Sequence, residues 1–277
     1  MQLGMIGLGR MGGNMLVRLA RRGHDVVGFD PGPAQREQAE AQGGRSAADL
    51  ERLVAMLQAP RVIWMMVPQG DPVDQTIAGL LPHLQAGDIL VDGGNSRYTQ
   101  APVRAAALEP HGVAFVDAGT SGGIWGLEEG YCLMIGGPRE AVERLTPVFR
   151  DLAPENGFAH VGASGAGHFV KMVHNAVEYG MLQAYGEGFE MLHSSPFDLD
   201  LAGVAELWRH GSVVRSWLLD LTARALTENP NLDGIAAIVP DSGEGRWTVV
   251  EAVELGCSLP VITIALQERF RSREKDP

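Results

Sequence analysis

Four polar side chains recur at helical spacing within one largely apolar stretch of the sequence. Lys171, His174, Asn175 and Glu178 lie at positions i, i+3, i+4 and i+7, which places them on one face of a helix. At a rise of about 1.5 Å per residue, the lysine and the glutamate lie about 10 Å apart along the axis, as a base and an acid at two ends of a short polyhydroxylated substrate would. The alternative is a solvated helix face with a Lys/Glu pair. The apolar flanks favour burial, which lowers the pKa of a lysine toward that of a general base.

A glycine-rich segment near the N-terminus has the spacing of a pyrophosphate-binding turn. It reads Gly7-Leu8-Gly9-Arg10-Met11-Gly12 and follows a strand-like run directly. The spacing predicts a tight turn at Gly7, close approach of a pyrophosphate to Gly9, and close helix packing at Gly12. Asp30 ends the next strand-like run, where a carboxylate accepts hydrogen bonds from a ribose 2′-hydroxyl and repels a 2′-phosphate. The sequence therefore predicts NAD rather than NADP, against the alternative of an ordinary glycine turn beside a solvated aspartate.

Two further strand-like runs end in polar or glycine-rich segments. These are Val67-Pro68-Gln69 and Asp92-Gly93-Gly94-Asn95-Ser96. Open α/β sheets bind their ligands at the carboxyl ends of the strands. We therefore expect Val67, Pro68 and Asn95 to lie at the cofactor.

These residues need a sheet and a long helix to position them, and the sequence predicts both. Strand-like runs at residues 3–8, 25–30, 62–67, 88–92, 113–117, 132–135 and 158–161 alternate with helix-like runs at residues 11–22, 71–84, 97–108 and 139–149. Beyond about residue 163 only helix-like segments follow, at residues 167–193, 199–208, 213–227, 248–255 and 260–271. This pattern predicts an α/β Rossmann-type N-terminal domain with a mostly parallel sheet, residues 1–163, followed by an all-α C-terminal domain, residues 164–277.

Composition excludes several classes of function. The 22 basic and 34 acidic residues give a formal net charge of −12, and the basic residues cluster only at residues 269–275. Both features disfavour nucleic acid and anionic lipid as partners. Cys132 and Cys257 have no metal-ligand or redox spacing, and their apolar neighbours predict burial in the core. No signal peptide or membrane span is apparent, so a cytoplasmic enzyme is expected.

Several blocks occur in the order in which one enzyme family carries them. They are Gly7-Leu8-Gly9-Arg10-Met11-Gly12, Asp92-Gly93-Gly94-Asn95-Ser96, Gly119-Thr120-Ser121-Gly122-Gly123, residues 165–179, and Gly245-Arg246-Trp247-Thr248. The sequence resembles 6-phosphogluconate dehydrogenases of the β-hydroxyacid dehydrogenase superfamily, and its linking segment at residues 124–131 is similar to the short, NAD-preferring bacterial branch. The resemblance implies NAD-dependent oxidative decarboxylation of 6-phospho-D-gluconate to D-ribulose 5-phosphate and CO₂, a step of the pentose phosphate pathway.

The resemblance also implies roles for individual residues. Lys171 matches the family's general base and Glu178 its general acid, and no metal is implied. The positions that hold the sugar acid match Asn95, Ser121, Gly122, Gly123, His174, Asn175 and Tyr179, and the position that binds the substrate phosphate matches Arg269. A homodimer or homotetramer is implied as well.

Two departures from the family pattern concern the phosphate. Ser242 stands where longer members have a phosphate-binding lysine, so that cation is missing or replaced by a neighbour such as Arg246. The sequence also ends at Pro277, without the tail that in relatives reaches the neighbouring subunit's site. Two alternatives therefore stay open: a dehydrogenase of another small β-hydroxyacid, which has no need of Glu178 or Arg269, and a non-catalytic NAD-binding regulatory protein.

Overall fold

The predicted apolar runs form strands, and the computed structural model, which describes residues 1–274, joins eight strands in one sheet. The strands are β1 (Gln2–Ile6), β2 (Asp25–Phe29), β3 (Arg45–Ser46), β4 (Val62–Met65), β5 (Ile89–Asp92), β6 (Ala114–Ser121), β7 (Cys132–Gly136) and β8 (Phe158–Gly162). Their order is β3-β2-β1-β4-β5-β6-β7-β8, and all neighbours are parallel except β6 and β7, which are antiparallel. The predicted mostly parallel sheet is confirmed.

The register of the sheet aligns the carboxyl ends of its central strands. Ile6 pairs with Phe29 on one side and with Met65 on the other. Met65 pairs in turn with Asp92, which pairs with Asp117. The residues that follow these five positions therefore emerge along one edge, and this edge carries the strand-end motifs that are predicted to bind a ligand.

Helices connect the strands and make up the C-terminal part of the chain. They are α1 (Arg10–Arg21), α2 (Pro33–Ala41), α3 (Leu50–Ala55), α4 (Asp71–Leu80), α5 (Gln100–Leu108), α6 (Gly126–Glu129), α7 (Arg139–Leu152), α8 (Ala166–His193), α9 (Leu201–Trp208), α10 (Trp217–Glu228), α11 (Glu244–Glu254) and α12 (Pro260–Arg271). Within residues 1–274 no strand follows β8, so the predicted all-α C-terminal part is confirmed. None of the helices described for residues 1–274 has both the length and the hydropathy of a membrane span.

The sheet is covered on both faces by apolar helix surfaces. Leu19 of α1 and Phe149 of α7 belong to one buried cluster, whereas Leu53 of α3, Leu80 of α4 and Leu108 of α5 belong to the other. Each is at most 1% exposed, and burying a side chain of this size contributes about 1.5–3 kcal/mol. Burial on both faces explains why the strands are almost continuous apolar runs in the sequence.

The chain divides into two compact units, of which the first is Met1–Met172 and the second begins at Val173. Helix α8 starts in the first unit and continues into the second. The second unit has its own apolar clusters, one of which contains Leu219 and Ala223, and another Tyr179 and Leu266. The predicted domain boundary at residues 163/164 remains a prediction.

The expected burial of the two cysteines is wrong, because both are free and exposed. Cys132 is the first residue of β7, and burial begins only with the next residue of that strand. Cys257 follows the end of α11. The prediction from apolar sequence neighbours failed because the two cysteines lie at or beyond the ends of their elements, where the chain leaves the core. The predicted basic stretch at residues 269–275 is described up to Glu274, and Lys275 lies outside the described residues.

Candidate functional site

The glycine motif forms an open turn between β1 and α1. Gly7 has φ 86°, a left-handed conformation that favours glycine, and a Cβ at Gly12 would overlap the carbonyl oxygen of Gly7. A Cβ at Gly9, by contrast, would meet no atom within 4 Å. Gly9 is also the N-cap of α1, whose first turn holds no acidic residue. The turn therefore leaves room beside unpaired helix N–H groups, which is what a pyrophosphate requires.

Asp30 is fixed beside this turn by backbone groups. Its Oδ2 accepts a hydrogen bond from the N–H of Leu8, and its Oδ1 accepts one from Gly32, both at 2.8 Å. Each carboxylate oxygen keeps a second lone pair with which it can accept a ribose hydroxyl. Arg36, which sequence reasoning did not consider, donates from its guanidinium to the carbonyl oxygens of Asp30 and Pro31. The open turn and the anchored carboxylate together fit an NAD molecule.

The loop after β5 lies against the end of β4. A Cβ at Gly94 would approach the carbonyl oxygen of Val67 to 2.6 Å, and one at Gly93 would overlap the indole of Trp64. This close backbone approach brings Asn95, which is exposed, toward Val67 and Pro68. The first unit thus collects these predicted cofactor residues along the carboxyl edge of the sheet.

Asp117, in strand β6, holds the beginning of α8 against the sheet. Its carboxylate accepts hydrogen bonds from the backbone N–H of Gly165 at 2.7 Å and from that of His168 at 2.9 Å. A Cβ at Gly119 would overlap the Cβ of Lys171, so the helix approaches β6 more closely than a larger residue would allow. Lys171 is consequently buried, with 7% of its surface exposed. Its backbone position is therefore tightly defined, as a catalytic base requires.

Ser121, Gly122 and Gly123 follow Gly119 along the same strand and its exit. Ser121 is the last residue of β6 and is half-buried. Gly122 and Gly123 have φ values of 133° and 53°, respectively, which only glycine adopts readily. The turn therefore begins only three residues after Gly119, the glycine that contacts Lys171.

A buried ion-pair network lies beneath the Asn95 loop. His168 Nε2 is 3.5 Å from Oδ2 of Asp92, and Arg104 Nη1 is 3.2 Å from the same oxygen. Burial lowers the pKa of His168, but its interaction with Asp92 outweighs burial and raises that pKa above its ordinary value. Burial likewise raises the pKa of Asp92, but the interactions with His168 and Arg104 hold it below its ordinary value. The network links the Asn95 loop to the first turn of α8.

In the second unit, α8 carries the remaining polar residues of the predicted face. Asn175 is buried, and Nδ2 of its amide donates to Oε1 of Glu244 at 2.6 Å. His174 Nδ1 lies 3.1 Å from Oδ1 of Asn175. Glu178 is half-buried one turn farther along the helix, next to the buried Tyr179. The unit thus surrounds Asn175 with polar partners before any substrate is bound.

The predicted phosphate subsite holds three arginines and the carboxylate of Asp241. The guanidinium of Arg269 stacks on the ring of Tyr179, with Cζ 3.5 Å from the ring centroid. Arg246, the proposed replacement for the missing lysine, pairs instead with Asp241 at 3.0 Å, as does Arg273. Burial raises the pKa of Asp241, but these two guanidinium groups outweigh burial and hold it below its ordinary value. Near Ser242, the free positive charge is therefore smaller than the number of arginines suggests.

Family models match nearly the whole chain. Residues 2–162 match the model described as the NAD binding domain of 6-phosphogluconate dehydrogenase, and residues 167–277 match the model of the C-terminal domain of that enzyme. The chain belongs to the 6-phosphogluconate dehydrogenase family. A family member from Haloferax volcanii, named as the NAD(+)-dependent, decarboxylating 6-phosphogluconate dehydrogenase, is 48% identical over 279 residues, which cover 100% of this chain and 92% of that protein.

Longer 6-phosphogluconate dehydrogenases match over part of their length. The NAD(+)-dependent, decarboxylating enzyme of Bacillus subtilis is 34% identical over 99% of this chain and 62% of its own length. The structure of the Plasmodium falciparum enzyme has a TM-score of 0.90 and 29% identity, covering 98% of this chain and 62% of that one. The chain therefore spans less than two thirds of these two relatives. A 3-hydroxyisobutyrate dehydrogenase from Mycobacterium tuberculosis, at 24% identity and a TM-score of 0.78, shares the fold.

Sequence reasoning missed two buried carboxylates, Asp117 in the first unit and Glu244 in the second. Asp117 ends the predicted strand at residues 113–117, but nothing in its spacing indicated that it caps α8. Glu244 precedes the block Gly245-Arg246-Trp247-Thr248, and its partner Asn175 lies 69 residues away in the sequence. Contacts over such distances leave no periodic signal in a single sequence.

Proposed function

We propose that this protein catalyses the NAD-dependent oxidative decarboxylation of 6-phospho-D-gluconate to D-ribulose 5-phosphate and CO₂. The observation that carries the proposal is the burial of Lys171 against β6, at the sheet edge that also holds the open glycine turn and Asp30. A lysine in this position suits an acid–base reaction beside a dinucleotide. Membership of the 6-phosphogluconate dehydrogenase family supports the same reaction.

The cofactor would be held by the glycine turn, residues Gly7 to Gly12, by Asp30, and by the loops at Val67, Pro68 and Asn95. When bound, NAD⁺ supplies the hydride acceptor for oxidation of the substrate at C3. The open space at Gly9 accommodates the pyrophosphate, and the carboxylate of Asp30 accepts hydrogen bonds from the adenine ribose. Asp30 disfavours a 2′-phosphate by charge repulsion, so NAD is the expected cofactor.

Lys171 and Glu178 divide the proton transfers between them. Lys171 takes the proton of the 3-hydroxyl group as C3 is oxidised to a ketone. The lysine, now protonated, donates a hydrogen bond to the new carbonyl oxygen, which accepts electron density as the C1–C2 bond breaks and CO₂ leaves. Glu178 then protonates the carbon that was C2 of the substrate and becomes C1 of ribulose 5-phosphate. The enediol hydroxyl at the former C3 returns its proton to Lys171 as the ketone of the product forms. Asn95, Ser121 to Gly123, His174, Asn175 and Tyr179 hold the sugar acid, and Arg269 holds the phosphate.

An unphosphorylated hydroxy acid is the second candidate substrate. The observation that favours it is the pair Ser242 and Glu244, because the serine brings no charge and the buried glutamate adds a negative one. A phosphate dianion gains less binding energy in such surroundings than beside a lysine. The values of kcat/KM for 6-phosphogluconate, D-gluconate and 3-hydroxyisobutyrate decide between the candidates. A larger value for either unphosphorylated acid contradicts the proposed substrate.

The catalytic role of Lys171 is tested by Lys171→Ala, with Val170→Ala as the matched control. Val170 precedes the lysine on α8 and is 38% exposed. The lysine variant is expected to lose NADH formation with 6-phosphogluconate, to below about 0.1% of the wild-type kcat, and to keep its affinity for NAD within about threefold. The control is expected to keep most of its activity. Retention of more than a few per cent of kcat by Lys171→Ala contradicts the assignment.

We also propose that the protein forms a homo-oligomer through its second unit. Support comes from large apolar side chains that are exposed there, including Val213, Met191, Val253 and Phe197, at 100%, 79%, 75% and 70%. Exposed apolar surface on this scale marks interaction surfaces. Light scattering coupled to size-exclusion chromatography tests the proposal, and a mass of about 29.6 kDa, that of one chain, contradicts it.

A further inference from the structure

Glu244 is a buried carboxylate in contact with residues proposed to bind the substrate. It is the first residue of α11 and is 2% exposed. Its Oε1 accepts a hydrogen bond from Nδ2 of Asn175, and its Oε2 accepts one from the hydroxyl of Ser242. Both oxygens of the carboxylate therefore face neighbouring side chains of the same unit.

The chemistry of the carboxylate determines the direction of the first of these hydrogen bonds. An ionised carboxylate only accepts, so Asn175 must turn its NH₂ group toward Glu244. A reversed amide would set two acceptors against each other in a buried place, which costs free energy. The oxygen of the Asn175 amide therefore faces the other way, toward His174.

The orientation of the amide in turn determines where His174 carries its proton. Nδ1 of the imidazole lies 3.1 Å from Oδ1 of Asn175. Because an amide oxygen only accepts, Nδ1 must be the donor of this hydrogen bond. In the neutral imidazole the other nitrogen, Nε2, is then unprotonated and acts as an acceptor.

The second oxygen of Glu244 orders the hydroxyl groups of the same site. Ser242 donates its proton to Glu244, so its oxygen is left to accept. The hydroxyl of Tyr179 lies 3.1 Å from that oxygen and accepts from the backbone N–H of Ser242 at 3.0 Å, so its own proton points to Ser242. Two chains of hydrogen bonds thus converge on one carboxylate, and hydrogen bonds in such chains strengthen one another.

We propose that Glu244 is a positioning residue that fixes the Nδ1–H tautomer of His174 by orienting the amide of Asn175. His174 then offers Nε2 as a hydrogen-bond acceptor to a hydroxyl group of the sugar acid. The tautomer follows from contacts within the free protein, whereas its use in binding the substrate rests on the proposed function.

The tautomer of His174 is measured directly by nitrogen-15 NMR of the imidazole side chains in the substrate-free wild-type protein. Spectra are recorded near pH 8.5, and comparison with His174→Gln assigns the signal of His174. The expected result is the Nδ1–H tautomer. The Nε2–H tautomer at His174 overturns the proposal. This measurement needs no variant of Glu244 and no turnover, so it decides the point even if the protein fails to oxidise 6-phosphogluconate.

Glu244→Met removes the acceptor while keeping a side chain of similar length, and Ser242→Ala is its matched control. Ser242→Ala removes the other donor to Glu244 and leaves the Asn175 contact in place, so His174 should keep the Nδ1–H tautomer. Glu244→Met should give a mixture of the two tautomers. Unchanged Nδ1–H in Glu244→Met overturns the proposal.

Kinetics separate positioning from a general loss of structure. We expect Glu244→Met to lower kcat/KM for the substrate at least about tenfold, with the Kd for NAD within about twofold of wild type. In an Asn175→Ala background the same change should lower kcat/KM by less than about threefold, because the residue through which Glu244 acts is already absent. Equal losses in both backgrounds contradict the proposal.

Discussion

The substitution Gly9→Ala is expected to weaken NAD binding without destabilising the fold. Gly9 has φ −61° and ψ −173°, which alanine adopts readily, and the added Cβ would meet no atom within 4 Å. The change in the free energy of unfolding should therefore stay below about 1 kcal/mol. The methyl group would instead occupy the space that a pyrophosphate needs in order to reach the N–H groups of α1.

The loss of affinity follows from the hydrogen bonds that the methyl group would prevent. Hydrogen bonds to a charged group contribute about 1.5–3 kcal/mol each. Losing one of them raises the Kd for NAD by roughly 10- to 150-fold. Isothermal titration calorimetry measures the Kd, and urea denaturation measures the stability of the same preparation.

Gly12→Ala is the matched control for this prediction. Its Cβ would overlap the carbonyl oxygen of Gly7 and approach Met66 Cβ to 3.1 Å, so the fold itself must shift. This variant should lose about 1–3 kcal/mol of stability in addition to affinity. If Gly9→Ala binds NAD as tightly as the wild type, the pyrophosphate does not lie at this turn.

Three further predictions concern charge. Asp30→Asn removes the repulsion of a 2′-phosphate and leaves Arg36 beside the site. The ratio of kcat/KM for NADP to that for NAD should therefore rise about tenfold or more. An unchanged ratio would show that Asp30 does not discriminate between the two cofactors. The pKa of His168 is raised and that of Asp92 is lowered, so the pairing of these two groups stabilises the protein between about pH 4 and 6.5. This stabilisation is lost as the pH rises through the pKa of the folded histidine. The free energy of unfolding, measured by urea denaturation from pH 5 to 9, should therefore depend less on pH in His168→Asn than in the wild type. An unchanged pH dependence would show that the pair of His168 and Asp92 does not cause it. Ser242→Lys should lower KM for 6-phosphogluconate about fivefold relative to D-gluconate, and equal effects on both substrates would place the phosphate elsewhere.

The sequence predicted the sheet well because its central strands are buried on both faces. Such strands are continuous apolar runs, as at residues 62–67, and their ends are marked by glycines and aspartates. It did not predict β3, whose two residues, Arg45 and Ser46, carry no apolar pattern. Helix α11 begins at Glu244 rather than at the predicted residue 248, because its first turn contains a glutamate and a glycine in place of apolar residues.

The candidate site was predictable where its residues share one local element. Lys171, His174, Asn175 and Glu178 follow from the period of a single helix, and the glycine turn follows from a short motif. The roles of Asp117 and Glu244 depend on partners 48 to 51 and 69 residues away, respectively, which only the folded chain brings together. The sequence predicts Arg246 as an available cation, whereas the structure shows it paired with Asp241.

The stoichiometry of CO₂ and NADH tests the proposed reaction most directly. The purified protein is incubated with NAD and 6-phosphogluconate labelled isotopically at C1, and released CO₂ and formed NADH are measured together. Oxidative decarboxylation predicts one labelled CO₂ for each NADH, with ribulose 5-phosphate as the remaining product. NADH formation without release of CO₂, or no NADH at all, would contradict the assignment of Lys171 and Glu178 to this chemistry.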